Sequence, residues 1–407
     1  MSGENNSFGF DTLCIHGGHS QESNRAHLTP IYASSTYTFD TAEQSIAVFK
    51  NEEKGYIYGR WGNPTITEAE EKIALLEAFG IKDADANPLQ LKAILHASGM
   101  AALTTMLLGN VKAGQKIITH YSLYGGTHEL VEKVLPALGI GLVIVDFHDA
   151  NKVEEALKSN PDIALMHIET PANPTLQCID LEVISNLGKQ YGLIVCVDNT
   201  FATPYLQQPF KYAVDYVMHS TTKFLNGHGT AIGGVLVGKD LQKMSTGMTK
   251  MHRLLGGNSN AFDAFVLTNG LRTFALRMDR HCSNASKVAE FLHAHPGVGL
   301  VNYLGLEGHP DHKVSLKQMK HPGAMLSFEL KGGFEAGIKF INNLKLLTNA
   351  VSLGTCDTLV SHPASTTHLG VPRENRLQYG ITDGLIRMSV GIVNVEDILN
   401  DLNQAIG

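Results

Sequence analysis

The chain has 407 residues and a formal net charge of −7, with 43% hydrophobic and 17% charged residues. These proportions are typical of a folded globular protein that is long enough for more than one domain. The acidic balance argues against a nucleic-acid-binding protein, which needs a basic surface to neutralise phosphates. We also expect neither a signal peptide nor a membrane span, since no apolar run reaches the roughly 18 residues that cross a bilayer.

Cysteine and histidine usage indicates a reducing compartment and no metal. The five cysteines are an odd number without a CxxC spacing, which predicts free thiols in the cytoplasm rather than disulfides or a zinc framework. Among the nineteen histidines, two close pairs lie beside prolines in loop-like stretches, His293 with His295 and His309 with His312. Neither pair belongs to an HExxH pattern or has a supporting carboxylate, so we predict no metal site.

The first 72 residues differ from the rest of the chain. They are rich in Ser, Thr, Tyr and Gly, and they show few helical patterns before a helix that Asn63 and Pro64 would begin. Such a segment has too few periodic apolar positions to bury a core of its own. We therefore predict that residues 1–72 form an N-terminal arm lying on another part of the molecule or on a second subunit.

From about residue 93 to 240, short apolar runs alternate with helical patterns of three-to-four-residue periodicity. This alternation predicts an α/β fold with a mainly parallel central sheet and helices on both faces. We assign residues 73–270 to this large domain. One or two long helices over 262–295 lead into the remainder, where strands and helices mix. Residues 271–407 are accordingly predicted to form a smaller α+β C-terminal domain.

Ligands of parallel sheets bind at the carboxyl ends of the strands, so the residues after each predicted strand are candidate site residues. Small residues that open a helix, Gly99 and Met100 among them, follow the first strand and offer free amides to a phosphate. A tyrosine before two glycines, an asparagine between prolines, a carboxylate and a lysine follow later strands: Tyr124, Asn173, Asp198 and Lys223. Each has an alternative structural role as a cap or turn residue, but the combination points to one cofactor.

That cofactor is pyridoxal 5'-phosphate (PLP). It forms an imine with a lysine, and a carboxylate keeps its pyridine nitrogen protonated so that the ring accepts electrons. An aromatic side chain can stack on the ring, and hydroxyls near helix-end amides can hold the phosphate. Ser220 and Thr222, just before Lys223, would supply those hydroxyls. The alternative, a dinucleotide-binding loop in "GHGTAIGG", fails because these glycines precede a strand instead of opening a helix.

The stretches "VDNTFATPYLQQPF" and "VDYVMHSTTKFLNGHG" resemble the PLP signature of the Cys/Met-metabolism (transsulfuration) enzymes. The resemblance extends over almost the whole chain, from "CIHGGH" and "TPIYASSTYTF" to "LIRMSVGIVNVEDILNDLNQAI". It implies the fold of PLP-dependent transferases of fold type I and PLP as the cofactor. It also implies a catalytic dimer, and usually a tetramer made of two such dimers.

The resemblance implies a role for each candidate. Lys223 would hold the cofactor and move protons between substrate carbons, Asp198 would pair with the pyridinium nitrogen, and Tyr124 would stack on the ring near the leaving group. Asn173 is grouped with the cofactor-binding residues. The family's phosphate cradle is matched by four positions of this chain: Gly99, Met100, Ser220 and Thr222.

Two further segments match the family. "YIYGRWGNPT" resembles the segment that supplies a tyrosine and an arginine to the neighbouring subunit's phosphate, here Tyr58 and Arg60, which would explain an arm without a core. Arg387 in "GLIRMSVG", with Ser352 beside it, matches the fork for the substrate α-carboxylate. A guanidinium suits a carboxylate because it donates two parallel hydrogen bonds.

The choice of reaction rests on less specific motifs. "LVSHPASTTH" resembles methionine γ-lyases and O-acetylhomoserine sulfhydrylases. Methionine γ-lyases, however, commonly carry a cysteine where this chain has Gly126, and a Lys–Asp pair that "KMHRLLGGNSN" lacks. We predict a carbon–sulfur lyase that eliminates the γ-substituent of methionine or a related thioether. O-acetylhomoserine sulfhydrylase and cystathionine γ-synthase or γ-lyase remain the alternatives, with a sulfur amino acid or a homoserine ester as substrate.

Overall fold

The computed structural model describes residues 8–19 and 25–407. Residues 1–7 and 20–24, which belong to the predicted N-terminal arm, lie outside the described residues. In that described part of the chain, no helix combines the length and the apolar character that crossing a bilayer requires.

A seven-stranded sheet forms the centre of the molecule. Its strands are β1 (Lys92–His96), β2 (Lys116–Thr119), β3 (Gly141–Ile144), β4 (Ile163–Glu169), β5 (Ile194–Asp198), β6 (Tyr216–His219) and β7 (Gly234–Gly238). Their order across the sheet is β1-β7-β6-β5-β4-β2-β3, and all share one direction except β7. The predicted α/β fold with a mainly parallel sheet is therefore confirmed.

Helices cover both faces of this sheet. They are α1 (Phe10–His16), α2 (Ala42–Phe49), α3 (Pro64–Glu77), α4 (Gly99–Leu108), α5 (Gly125–Glu129), α6 (Ala150–Ser159), α7 (Leu181–Gln190), α8 (Thr203–Leu206), α9 (Leu241–Lys243), α10 (Thr249–Leu255) and α11 (Ala261–Leu271). Side chains alternate between the two faces of a strand, and in β5 both faces are buried. Val195 and Val197 enter one hydrophobic core, whereas Cys196 enters the other.

A second, smaller sheet follows the long helix α12 (Phe274–Ala294). Its strands are β8 (Val298–Asn302), β9 (Met325–Leu330), β10 (Thr348–Asn349), β11 (Leu359–Ser361) and β12 (Leu385–Ser389), in the order β10-β11-β12-β9-β8. The remaining helices are α13 (His312–Gln318), α14 (Gly333–Asn343), α15 (Arg373–Gln378) and α16 (Val395–Ile406). The predicted small α+β region is thus present. The exact domain boundaries stay predictions, and those at residues 72 and 270 fall inside α3 and α11.

Part of the N-terminal arm packs on its own chain. The buried Lys72 donates hydrogen bonds to the carbonyls of Cys14 and Ile15 at 3.1 and 3.0 Å, which satisfies carbonyls at the end of α1. Other apolar side chains of the arm are exposed on the single chain, including Ile46 at 52% and Phe49 at 55%. The arm is therefore anchored at α1 and presents apolar surface farther along.

Candidate active site

Most of the predicted site residues, but not Tyr58 and Arg60, lie at or beside one edge of the central sheet. β1, β4, β5 and β6 end at His96, Glu169, Asp198 and His219. Because these strands run in one direction, the residues that follow them lie along the same edge. The geometry of each candidate follows from this arrangement.

The start of α4 lies against the loop that precedes Lys223. Ser98 caps the helix, since its Oγ accepts a hydrogen bond from the Ala101 amide at 3.1 Å. A Cβ on Gly99 would lie 2.9 Å from the Cβ of Ser220, so only glycine allows this close approach. The free amides of the helix end therefore stand beside the Ser220 side chain, an arrangement that suits a phosphate.

Thr222 is fixed by backbone contacts. Its Oγ1 accepts a hydrogen bond from the Gly233 amide at 3.0 Å and donates to the Gly233 carbonyl at 3.2 Å. These bonds connect the two ends of the loop between β6 and β7. The expected contact of Thr222 with a phosphate stays a prediction.

The Lys223 amine occupies a half-buried position beside the C-terminal domain. Its Nζ donates to the Oγ of Ser352 at 3.1 Å. Burial, assisted by the positive charge of Arg387, lowers the pKa of the Lys223 amine to about 8. A larger fraction of the amine is therefore uncharged near neutral pH than in an exposed lysine, and the uncharged form is the nucleophile.

Asp198 is held by the residue two positions after it. The Oδ1 of Asp198 accepts hydrogen bonds from the Thr200 amide at 3.0 Å and the Thr200 hydroxyl at 2.6 Å. The same hydroxyl oxygen accepts the amide of Ser220 at 2.9 Å, which links Asp198 to the lysine-bearing loop. Burial raises the pKa of Asp198, while the two Thr200 bonds and the charge of His219 oppose that rise.

Arg387 forms a buried guanidinium fork. It is 5% exposed, and its Nη2 donates to the carbonyls of Val351 and Ser352 at 2.9 and 3.0 Å. Its Nη1 donates to Oδ1 of Asn173 at 3.3 Å. Burial lowers the pKa of Arg387 to about 10. Its Nε is buried without a hydrogen-bond partner among the described residues, and such a donor suits a carboxylate ligand.

Tyr124 lies at the open side of this edge, with 50% of its surface exposed. Its ring packs over the start of α5. A Cβ on Gly126 would lie only 2.7 Å from Cε1 of Tyr124 and 3.2 Å from Sδ of Met100. The glycine at position 126 therefore makes room for the ring. A cysteine at this position would force Tyr124 to move.

Tyr58 and Arg60 lie in a separate cluster near α10. The Nη1 of Arg60 donates to the Arg253 carbonyl at 3.0 Å, and its guanidinium stands 5.5 Å from the Tyr58 ring centroid. Arg253 in turn donates to the Trp61 carbonyl at 3.1 Å. These contacts involve the arm and α10 of one chain. A role for Tyr58 and Arg60 at a neighbouring subunit's phosphate stays a prediction.

Several groups at this edge were not identified from the sequence. Glu169 pairs in register with Asp198, and Thr200 supports the Asp198 carboxylate. Behind them, Nε2 of His219 contacts Oε1 of Glu77, and both side chains are fully buried. A charged residue closing the apolar run "IALMHIE" was a usable signal for Glu169. No local sequence pattern indicates that His219 contacts α3.

One group of potential metal ligands also emerges only from the fold. Side-chain ligand atoms of His120, Asp146 and His148 lie within 4.8 Å of one another. His148 already contacts Asp146 at 3.1 Å and Asp311 at 3.3 Å through its two nitrogens. The Nδ1 of His120 accepts the Phe147 amide at 3.0 Å. These nitrogens therefore have protein partners.

Comparison with known proteins gives consistent matches over the whole chain. The sequence model described as "Cys/Met metabolism PLP-dependent enzyme" matches residues 11–407. An L-methionine gamma-lyase of Fusobacterium nucleatum subsp. polymorphum is 45% identical over 404 residues, which cover 99% of each chain. An L-methionine gamma-lyase of Porphyromonas gingivalis is 43% identical, covering 98% of this chain and 97% of the relative.

Among solved structures, a cystathionine gamma synthase of Xanthomonas oryzae pv. oryzae, in complex with aminoacrylate and cysteine, superposes with a TM-score of 0.90. It is 34% identical, and the match covers 98% of both chains. The fold type, the cofactor and the resemblance to methionine γ-lyases that the sequence predicted are thereby confirmed.

Proposed function

The chain belongs to the family of Cys/Met metabolism PLP-dependent enzymes, and we propose that it cleaves L-methionine or a related thioether by α,γ-elimination. The observation that carries the proposal is the half-buried Lys223 amine, 3.1 Å from Ser352 and beside the Arg387 fork. An amine that can hold PLP is thus next to a group that can bind an amino-acid carboxylate. The similarity to L-methionine gamma-lyases supports the choice of substrate.

The residues at the strand edge fit PLP. The close approach of Gly99 to Ser220 leaves the amides at the start of α4 available for the phosphate. Asp198 is half-buried at the end of β5, where its carboxylate can pair with a protonated ring nitrogen. That pairing favours the ionised form of Asp198 and offsets the effect of its burial. The lowered pKa of the Lys223 amine suits imine formation.

When bound, PLP supplies an electron sink that stabilises the negative charge left on a substrate carbon after proton removal. In the proposed mechanism, Nζ of Lys223 takes the α-proton and moves protons between substrate carbons. Asp198 maintains the proton on the ring nitrogen. The proton transfers assigned to Lys223 need a group that gains and loses a proton near neutral pH, and a lysine with a pKa of about 8 meets that need.

Arg387 and Tyr124 would orient the substrate and assist its departure. The unpartnered Nε of Arg387 and one of its terminal nitrogens can donate to the α-carboxylate, while Asn173 and the 351–352 backbone fix the guanidinium plane. The Tyr124 hydroxyl is proposed to donate a proton to the departing sulfur. Breaking the Cγ–S bond of methionine then releases methanethiol, and hydrolysis of the remainder with one water yields 2-oxobutanoate and ammonia.

A γ-replacement reaction is the second candidate. The relatives of the same fold include a cystathionine gamma synthase of Xanthomonas oryzae pv. oryzae, whose similarity to this chain supports replacement as an alternative. Gly126, at a position where methionine γ-lyases commonly carry a cysteine, favours it as well. In such an enzyme, the same residues would act on a homoserine ester: the Cγ–O bond would break, the carboxylate of the ester would leave, and a thiol or sulfide would form the new Cγ–S bond.

Product analysis separates these candidates. Purified holoprotein is incubated with methionine, with cystathionine, or with O-acetylhomoserine plus sulfide, and Lys223→Ala serves as the control. We expect methanethiol and 2-oxobutanoate from methionine, and neither product from the control. If homocysteine forms from O-acetylhomoserine while methionine is left intact, the elimination proposal is wrong and replacement takes its place.

We also propose a dimer in which Tyr58 and Arg60 of one chain reach the phosphate of the other, and a tetramer built from two such dimers. The exposed apolar side chains of the arm support this arrangement, because Ile46 and Phe49 each leave more than half of their surface uncovered on one chain. A cytoplasmic location is supported by the five cysteines, all of which are free thiols.

A further inference from the structure

Glu169 occupies the middle of the strand edge that carries the site. It is the last residue of β4, its register partner on β5 is Asp198, and it is 5% exposed. Burying a carboxyl group costs free energy unless hydrogen bonds compensate. The contacts of Glu169 therefore indicate what its burial accomplishes.

Both carboxyl oxygens of Glu169 accept backbone amides from loops of the site. Oε2 accepts the amide of Tyr124 at 2.8 Å, and Oε1 accepts the amide of Asn173 at 3.4 Å. Tyr124 follows β2, whereas Asn173 follows β4, so one side chain ties together two separate loops. Asn173 extends the connection, because its Oδ1 accepts Nη1 of Arg387 at 3.3 Å.

The electrostatic surroundings make this carboxyl unusual. Burial, followed by the negative charge of Asp198, raises the pKa of Glu169 to about 8, and the two amide donors oppose that rise. A glutamate in such a place is unfavourable for stability by itself. Its hydrogen bonds to both loops give it a use that an apolar residue could not provide.

We propose that Glu169 is a positioning residue that holds the Tyr124 loop and the Asn173 loop at a fixed separation. The Tyr124 ring and the Arg387 fork thereby face the same bound amino acid. This inference rests on the proposed function of the site as a PLP site for α-amino acids. It does not depend on which bond of the substrate is broken.

The test uses holoprotein with Glu169→Ala and Glu169→Gln. Each is titrated with L-norleucine, which has the groups of an α-amino acid but no leaving group at its γ-carbon, and the absorbance of bound PLP is followed. We expect the norleucine dissociation constant of Glu169→Ala to rise about tenfold or more, because two backbone amides lose their hydrogen-bond acceptor. The norleucine dissociation constant of Glu169→Gln should rise less, since the side-chain amide oxygen can still accept a hydrogen bond from one of the two backbone amides.

Asp401 offers a matched control. It is also 5% exposed, and it accepts the amides of Leu346 and Leu347 at 2.9 and 2.8 Å within the C-terminal domain. Asp401→Ala and Asp401→Asn should lower the melting temperature while leaving norleucine binding unchanged. Equal increases of the dissociation constant in both pairs of variants would reduce Glu169 to a purely structural role.

An unchanged norleucine dissociation constant in either Glu169 variant, at normal PLP content, would overturn the proposal. If Glu169→Ala does not fold, the nearly isosteric Glu169→Gln decides the question. The outcome is separable from the proposed function. Wild-type protein that releases no methanethiol from methionine, but binds norleucine in a Glu169-dependent way, refutes the substrate assignment and retains the positioning role.

Discussion

Replacing Arg387 with lysine isolates the role of the guanidinium while retaining a positive charge. In the structure, Arg387 bonds to two backbone carbonyls and to Asn173 at 2.9 to 3.3 Å, and its Nε has no partner among the residues described. A lysine at position 387 presents one ammonium instead of a planar fork. It cannot bind a carboxylate through two parallel bonds while also keeping these anchors.

The expected magnitude follows from the lost bond. A hydrogen bond involving a charged group contributes about 1.5 to 3 kcal/mol, so we expect L-norleucine to bind Arg387→Lys about ten- to a hundredfold more weakly. The KM for methionine should rise by a similar factor. The kcat should change less, because the carboxylate is bound in both the ground state and the transition state.

The assay is competition by two ligands that differ only in the carboxylate. L-Norleucine has this group, whereas pentylamine is the same molecule without it. Wild-type protein should prefer norleucine strongly, and Arg387→Lys should lose most of that preference. The inhibition constant of pentylamine should be nearly the same in both proteins, which controls for general damage to the site.

Two results would refute this reasoning. If Arg387→Lys keeps the wild-type preference for norleucine over pentylamine, the guanidinium does not bind the carboxylate. If both ligands weaken equally, the variant has altered the site as a whole, and Arg387 acts through packing rather than as a fork.

Three further predictions concern the cofactor and the subunit arrangement. The rate at which PLP forms its imine with the apoprotein should rise with pH and level off above about pH 8, because the uncharged Lys223 amine attacks the aldehyde. Stopped-flow absorbance measures this rate. A rate that keeps rising up to pH 10.5, the ordinary pKa of lysine, would contradict the prediction. Gly126→Ala should lower kcat about tenfold with little loss of melting temperature, because the new Cβ displaces the half-exposed Tyr124 ring. Steady-state kinetics and thermal melting measure these two effects, and an unchanged kcat would refute the prediction. Mixing inactive Arg60→Ala and Lys223→Ala proteins should restore about a quarter of wild-type activity if Arg60 serves the neighbouring subunit, whereas no recovery after confirmed reassembly places its role within its own chain.

The α/β class and the positions of the main candidate residues could be predicted from the amino-acid sequence. Alternation of apolar runs with helical periodicity is a local property, and a parallel sheet follows from it because both faces of each strand must be buried. Tyr124, Asp198 and Lys223 could be identified because each follows a strand, and the edge of a parallel sheet brings such residues together. Family motifs then supplied the cofactor and the fold type.

The contacts between side chains that are distant in sequence could be seen only in the folded chain. Arg387 is hydrogen-bonded to Asn173, which is 214 residues away in the sequence. Lys223 is hydrogen-bonded to Ser352, which is 129 residues away. Glu169 could not be recognised as the link between two loops, since its partners are backbone amides that no sequence pattern marks. The periodicity of apolar residues indicates which face of a helix or strand is buried. These contacts depend instead on how the C-terminal domain packs against the central sheet, and that packing is determined by the whole chain at once.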